Sequence, residues 1–131
     1  MSVLIRRNDL TGPPTGQQFV GADHGDIPIS LFLVNARSCT GPELHRHPDP
    51  EVFIVDAGQA DFQIATHLTA TAGDIVIAPA GTAHRFTSIG NEQLRLTAIH
   101  TAPHDGHRVA HSRRNPDAER DLRRLARRPV T

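Results

Sequence analysis

Between residues 45 and 84 the chain carries three imidazoles and a carboxylate at close spacing. His45-Arg46-His47 is followed by Glu51 and Gly58; Gly73, Pro79, Gly81 and His84 make a second phrase. As spacings these read H-x-H-x3-E-x6-G and G-x5-P-x-G-x2-H. Imidazole nitrogens with one carboxylate oxygen suit a borderline divalent cation. With nine histidines in 131 residues, a single match would mean little. Two phrases in order are a different matter. His24, His67, His104, His107 and His111 stand in no such company and are assigned as surface or hydrogen-bonded residues. Burying four polar groups of this kind in a small domain would cost roughly several kcal/mol without an ion or a hydrogen-bond network.

Short strands must hold these side chains. Residues 52–55, 62–65, 75–78 and 94–99 are apolar or alternating runs, with 27–36 and 17–22 as two further strands upstream. Turn residues at 56–58, 72–74, 79–81 and 89–91 separate the main runs, a pattern of sandwiches and barrels. No stretch before Pro116 keeps a helical period. In a strand, residues two apart share a face, so His45 and His47 point together and Arg46 points away. Pro48-Asp49-Pro50 interrupts backbone pairing and lets Glu51 return to the same centre at the start of the next strand. Glu51, Phe53 and Val55 then share one face; His84, Phe86 and Ser88 share another. His100 is in phase with Leu94, Leu96 and Ala98. Facing inward it would reach the pocket mouth, to orient a substrate or carry a proton; otherwise it ends the strand in water.

The two phrases resemble the first and second motifs of the cupins, small β-barrel proteins whose strands form a double-stranded β-helix of jelly-roll type. The resemblance covers about residues 41–103. It implies an all-β fold, a cupin jelly-roll barrel to which the tail would add a short C-terminal helix. It also implies His45, His47, Glu51 and His84 as ligands of one divalent metal ion per subunit, with Fe(II) ahead of Mn, Ni, Co or Zn. Two positions depart from the family pattern at expected turn or capping sites: Cys39 where a glycine often opens the first motif, and Ser88 where an asparagine often ends the second. Proteins of this kind include dioxygenases, decarboxylases, isomerases, cyclases and non-catalytic binders. The expectation is a metal-dependent enzyme on a small oxygen-chelating organic substrate, with dioxygenase chemistry slightly ahead. The alternatives are a Lewis-acid isomerase, cyclase or decarboxylase, or a metal-containing binding barrel. Glu51 and His100 are the expected catalytic groups, with Phe53, Gln63 and Phe86 as substrate contacts. Small cupins commonly pair, which implies a homodimer with residues 1–22 as an arm exchanged between subunits. The barrel is placed at 23–112 and a basic helix or tail at 113–131.

Composition narrows the partners. The chain has one cysteine, no Trp and no Tyr, so it offers neither an internal disulfide nor a base-stacking platform for nucleic acid. No apolar run approaches membrane-spanning length, and residues 1–6 lack the apolar core of a secretory signal. A cytoplasmic protein is expected. Net charge is zero but unevenly spread: residues 108–131 hold eight arginines against three acids, and residues 1–107 hold six against eleven. Interleaved acids and an i,i+4 pair, Glu119 with Arg123, point to a solvated helix in the tail rather than a nucleic-acid arm.

Overall fold

The structure, a computed structural model, describes residues 2–103. Eight strands follow in order: β1 (Gly16–Val20), β2 (Ser30–Ala36), β3 (Glu51–Ala57), β4 (Gln59–Ile64), β5 (Thr66–Thr71), β6 (Ile75–Ala78), β7 (His84–Ile89) and β8 (Leu94–His100). They form two antiparallel sheets, one of order β1-β2-β8-β3-β6 and one of order β5-β4-β7. Beside β7 the preceding segment pairs irregularly: Ser88 N–H donates to the Thr40 carbonyl, Cys39 N–H to Ser88, and His45 and His84 exchange two bonds. The fold is all-β, as the apolar runs and their turns predict.

Alternation along these strands sets the core. On β3, β7 and β8 every second residue is buried. Phe53, Phe62 and Phe86 meet between the sheets with ring centroids 5.0 to 5.9 Å apart. Their tilted and edge-on contacts add about 0.5–1.5 kcal/mol per pair beyond area burial. The register then puts Ser30, His100, Glu51 and Ala78 in one row at one end of the larger sheet. Phe32, Ala98, Phe53 and Val76 form the next row inward.

Several expectations change here. β5 has no counterpart among the predicted strands: all but one of its residues are exposed, so no apolar alternation marks it. β2 starts at Ser30 instead of residue 27, because Asp26 is left-handed and Pro28 has no N–H to donate. β1, near the strand expected at 17–22, falls within residues 1–22 and pairs antiparallel with β2. Ser88, where the family often has asparagine, lies within β7 on the buried face it shares with His84 and Phe86, as their phase predicts, and caps no turn. Cys39 does occupy a turn, with φ of 65° in the region where glycine is usual. The tail helix expected at 113–131 lies outside the described residues.

Candidate metal centre

Glu51 opens β3 and His84 opens β7, so each ligand stands at a strand mouth with the next inward residue, Phe53 or Phe86, behind it. His45 reaches the same end through its backbone bridge to His84. Gly41 makes that approach possible: a Cβ there would lie 1.9 Å from the Phe86 carbonyl oxygen. His47 is not in a strand, but its carbonyl accepts from Gly81 N–H, 2.9 Å away, which ties the two motifs together. One candidate ligand atom from each of His45, His47, Glu51 and His84 lies within 4.8 Å of all the others. His47, Glu51 and His84 are buried, and His45 is partly so.

Each histidine is oriented by a backbone carbonyl two residues away. Nδ1 of His45 lies 2.8 Å from the Glu43 oxygen, that of His47 2.7 Å from Asp49, and that of His84 2.9 Å from Thr82. A carbonyl can only accept, so Nδ1 carries the proton and Nε2 is left for the common centre. Glu51 Oε2 lies 2.9 Å from His47 Nε2 and 2.8 Å from His84 Nε2, and Oε1 lies 3.0 Å from His100 Nε2. Burial by itself would raise the Glu51 carboxyl, but hydrogen bonds from His100, His47 and His84 outweigh it and hold it well below the usual carboxylate range. Burial works against a charge on His47 too, yet the bond and charge of Glu51 raise it above its ordinary value of 6.5. His45, pushed down chiefly by burial, titrates near 4.

This donor arrangement fits a divalent cation. Both ring nitrogens of His47 and of His84 face acceptors, whereas a neutral imidazole donates from only one. A cation at the centre removes the conflict: the Nε2 lone pairs turn to the ion and the Nδ1 protons stay on the carbonyls. Ions of this kind take ligands at about 2.0–2.2 Å, so opposite donors stand about 4.4 Å apart. The observed spread is close to that. These four residues can hold a metal ion, as their spacing predicts.

His45, His47 and Glu51 line a cavity of about 500 Å³, within the range of about 300–1,000 Å³ usual for small-molecule sites. Phe53, Phe86 and His100 line it, as the inward phase of their strands requires. His100 is 3% exposed and hydrogen-bonded, so the alternative of a strand end in water does not hold. Gln63 must be corrected. It pairs with Arg85 on the face of β4 opposite Phe62, accepts from Arg85 Nε at 3.1 Å, and is not in the cavity wall. Arg46 does line the cavity although alternation turns it from the ligands. The wall also uses Phe32, Val34 and Ala36, the inward set of β2, and Arg37 just beyond them. The alternation of residues 30–36 held the signal for the first three; nothing local marked Arg37.

The family model described as the cupin domain matches residues 32–100, more than half of the chain. No curated protein matches the sequence. Among solved structures, the plu4264 protein from Photorhabdus luminescens is similar at 20% identity and a TM-score of 0.63, over 97% of this chain and 100% of that one. A Cupin 2 conserved barrel domain protein from Salinispora arenicola gives 20% and 0.62, over 85% and 96%. The polyketide cyclase RemF from Streptomyces resistomycificus gives 14% and 0.61, over 76% and 79%. At such identities the likeness speaks for the fold alone. Family match, two-sheet barrel and converged motif residues agree: this chain belongs to the cupin superfamily.

Proposed function

We propose that this cupin is a metal-dependent enzyme acting on a small organic substrate that chelates the metal through oxygen, with dioxygenase-type chemistry ahead of isomerase, cyclase or decarboxylase chemistry. The observation that carries it is the convergence of three carbonyl-oriented imidazoles and one carboxylate beside a cavity of substrate size, whose wall includes His45, His47 and Glu51. His45, His47, Glu51 and His84 would hold the ion, Fe(II) in the leading version. When bound, it would supply Lewis acidity and, if redox-active, a site for dioxygen chemistry.

The chain's own groups do the rest. The carbonyls of Glu43, Asp49 and Thr82 fix which nitrogen of each imidazole faces inward. Glu51 serves as ligand or accepts a substrate proton at Oε2. His100 lies 3.0 Å from Oε1 and holds or passes that proton on the far side of the carboxylate. Phe53 and Phe86 exclude water from the floor.

Two features bear on the setting. Cys39 is the chain's single cysteine, which suits the reducing cytoplasm in which we place the protein. No helix among the described residues is long and apolar enough to cross a membrane. We place a second copy of the chain on the outer face of the larger sheet, where Ile75 and Ile77 are 64% and 63% exposed beside Val52 and Ile54.

Metal analysis of tag-free protein purified without added metal tests the proposal. The expected result is close to one divalent ion per chain, lost in His47→Ala. A wild-type protein that retains no ion, and takes none up on dialysis against Fe(II), Mn(II) or Zn(II), overturns it.

A further inference from the structure

The two oxygens of Glu51 face different neighbours. Oε2 lies 2.9 Å from His47 Nε2 and 2.8 Å from His84 Nε2, the nitrogens that look toward the common centre. Oε1 lies 3.0 Å from Nε2 of His100, a residue outside the group of converging ligands. An ionised carboxylate can only accept, so His100 carries its proton on Nε2. His45, His47 and His84 carry theirs on Nδ1, against backbone carbonyls. A nitrogen engaged as a donor has no lone pair left for an ion. His100 therefore stands beside the centre as a donor to its carboxylate, not as a further imidazole ligand.

The fold fixes this pair from both sides. His100 ends β8, Glu51 opens β3, and the two are directly opposed in the antiparallel register. Side chains opposed in this way on one face of a sheet are held at contact distance by the backbone. The His100 ring packs against His47, with centroids 4.7 Å apart, and against Phe32 of β2 at 5.6 Å. His100 is buried, as is Glu51, so water does not compete freely for the bond between them.

We infer that His100 is a positioning residue that keeps Glu51 a one-oxygen ligand. With Oε1 bonded to His100, Oε2 alone is left for an ion. A buried carboxylate oxygen without a donor is costly. Loss of the His100 N–H would turn Oε1 to the nearest cation, and Glu51 would fill two ligand positions in place of one. The position His100 keeps free is the one a two-oxygen substrate needs for its second oxygen. This task is separate from the proton role given to His100 above, and it rests on the proposed metal site.

The full chain loaded with Co(II) provides the test, because the visible bands of cobalt weaken as its coordination number rises. Acetohydroxamate, a two-oxygen chelator, and azide, a one-atom ligand, are titrated against it. His100→Leu removes the donor, and His100→Asn leaves an amide too short to reach Oε1; either serves if the other does not fold. Cobalt should stay bound at close to one ion per chain in both. Its bands before any ligand is added should weaken, and acetohydroxamate should bind about tenfold more weakly, with azide less affected. His100→Gln puts an N–H near the place of Nε2 and should restore both readings. Unchanged bands and unchanged acetohydroxamate affinity in the Leu and Asn variants overturn the inference while the metal site stands. A Gln variant as impaired as the other two also overturns it, since the ring's shape and not its N–H would then matter. Loss of cobalt from the Leu and Asn variants overturns it as well, by making His100 a ligand. A wild-type chain that takes up no cobalt removes the metal-dependent function, and the positioning role with it.

Discussion

Glu51→Gln keeps the volume of the side chain and removes its charge, which makes it a sharp probe of the buried cluster. In the metal-free protein the two Glu51 oxygens face Nε2 of His47, His84 and His100, and the residue is 3% exposed. Removing one partner of a buried ionic network costs about 3–5 kcal/mol. Glutamine keeps one acceptor oxygen, so the lower end, about 3 kcal/mol, is expected. For a domain of this size that is a fall of about 10 °C in thermal midpoint. The loss should depend on pH in a definite way. Glu51 is held below its ordinary value of 4.5, so its contribution is present above that value and disappears as pH falls through the depressed one. His47 is raised above 6.5, so its contribution is present below 6.5 and disappears as pH rises through the raised value. The gap between wild type and variant is therefore widest between these two ordinary values and narrows on both sides. Urea unfolding from pH 3 to 9 in the presence of chelator measures it directly. A gap under about 0.5 kcal/mol, or one that stays flat across the range, would refute the paired-carboxylate account. With metal and the true substrate, the same variant should stay folded and lose most turnover.

Three further outcomes are expected. His45 stays neutral in the fold down to about 4 against an ordinary 6.5, so the metal-free protein should lose about 3 kcal/mol over that interval as its unfolded state takes up the proton first; His45→Asn should flatten this limb of the urea midpoints. Gly41→Ala would drive a methyl into the Phe86 carbonyl, and calorimetry should show a loss of at least about 2 kcal/mol together with weaker metal retention. Ile75→Lys with Ile77→Lys should halve the mass measured by light scattering while leaving metal content unchanged; an unaltered mass would exclude that face as the contact.

The parts of the fold that were legible in the sequence are those with a buried side. Residues 52–55, 75–78 and 94–99 announce β3, β6 and β8 because one face must be apolar or the barrel has no core. Gly58, Gly73, Gly81 and Gly90, each with positive φ, mark the turns between them. The ligand set was legible for a different reason: few arrangements other than a shared centre explain histidines at 45, 47 and 84 with Glu51. Strand alternation also gave the right partners for His45 and His47, although only His45 makes a bridge and His47 is set by its Asp49 contact. What stayed hidden depends on tertiary contacts. β5 is exposed and carries no periodic signal, Gln63 is claimed by Arg85, and Arg37 enters the wall only because β2 ends there. None of these is visible from neighbours in the chain.

The candidate ligands and much of the cavity wall come from different parts of the chain. All four candidate ligands fall at residues 45–51 and 84, whereas Thr15, Gly16, Phe32, Val34 and Ala36 supply another part of the wall. Of the wall residues on β2, Phe32 packs its ring against His100, whereas Val34 and Ala36 pair with Leu96 and Leu94 of β8 and can change in size without displacing a donor atom. At Val34 and Ala36, what is admitted can thus drift independently of what reacts. A library confined to Val34 and Ala36 would sample new guests over unchanged reactive groups, with bound metal serving as a running check that the ligands were intact.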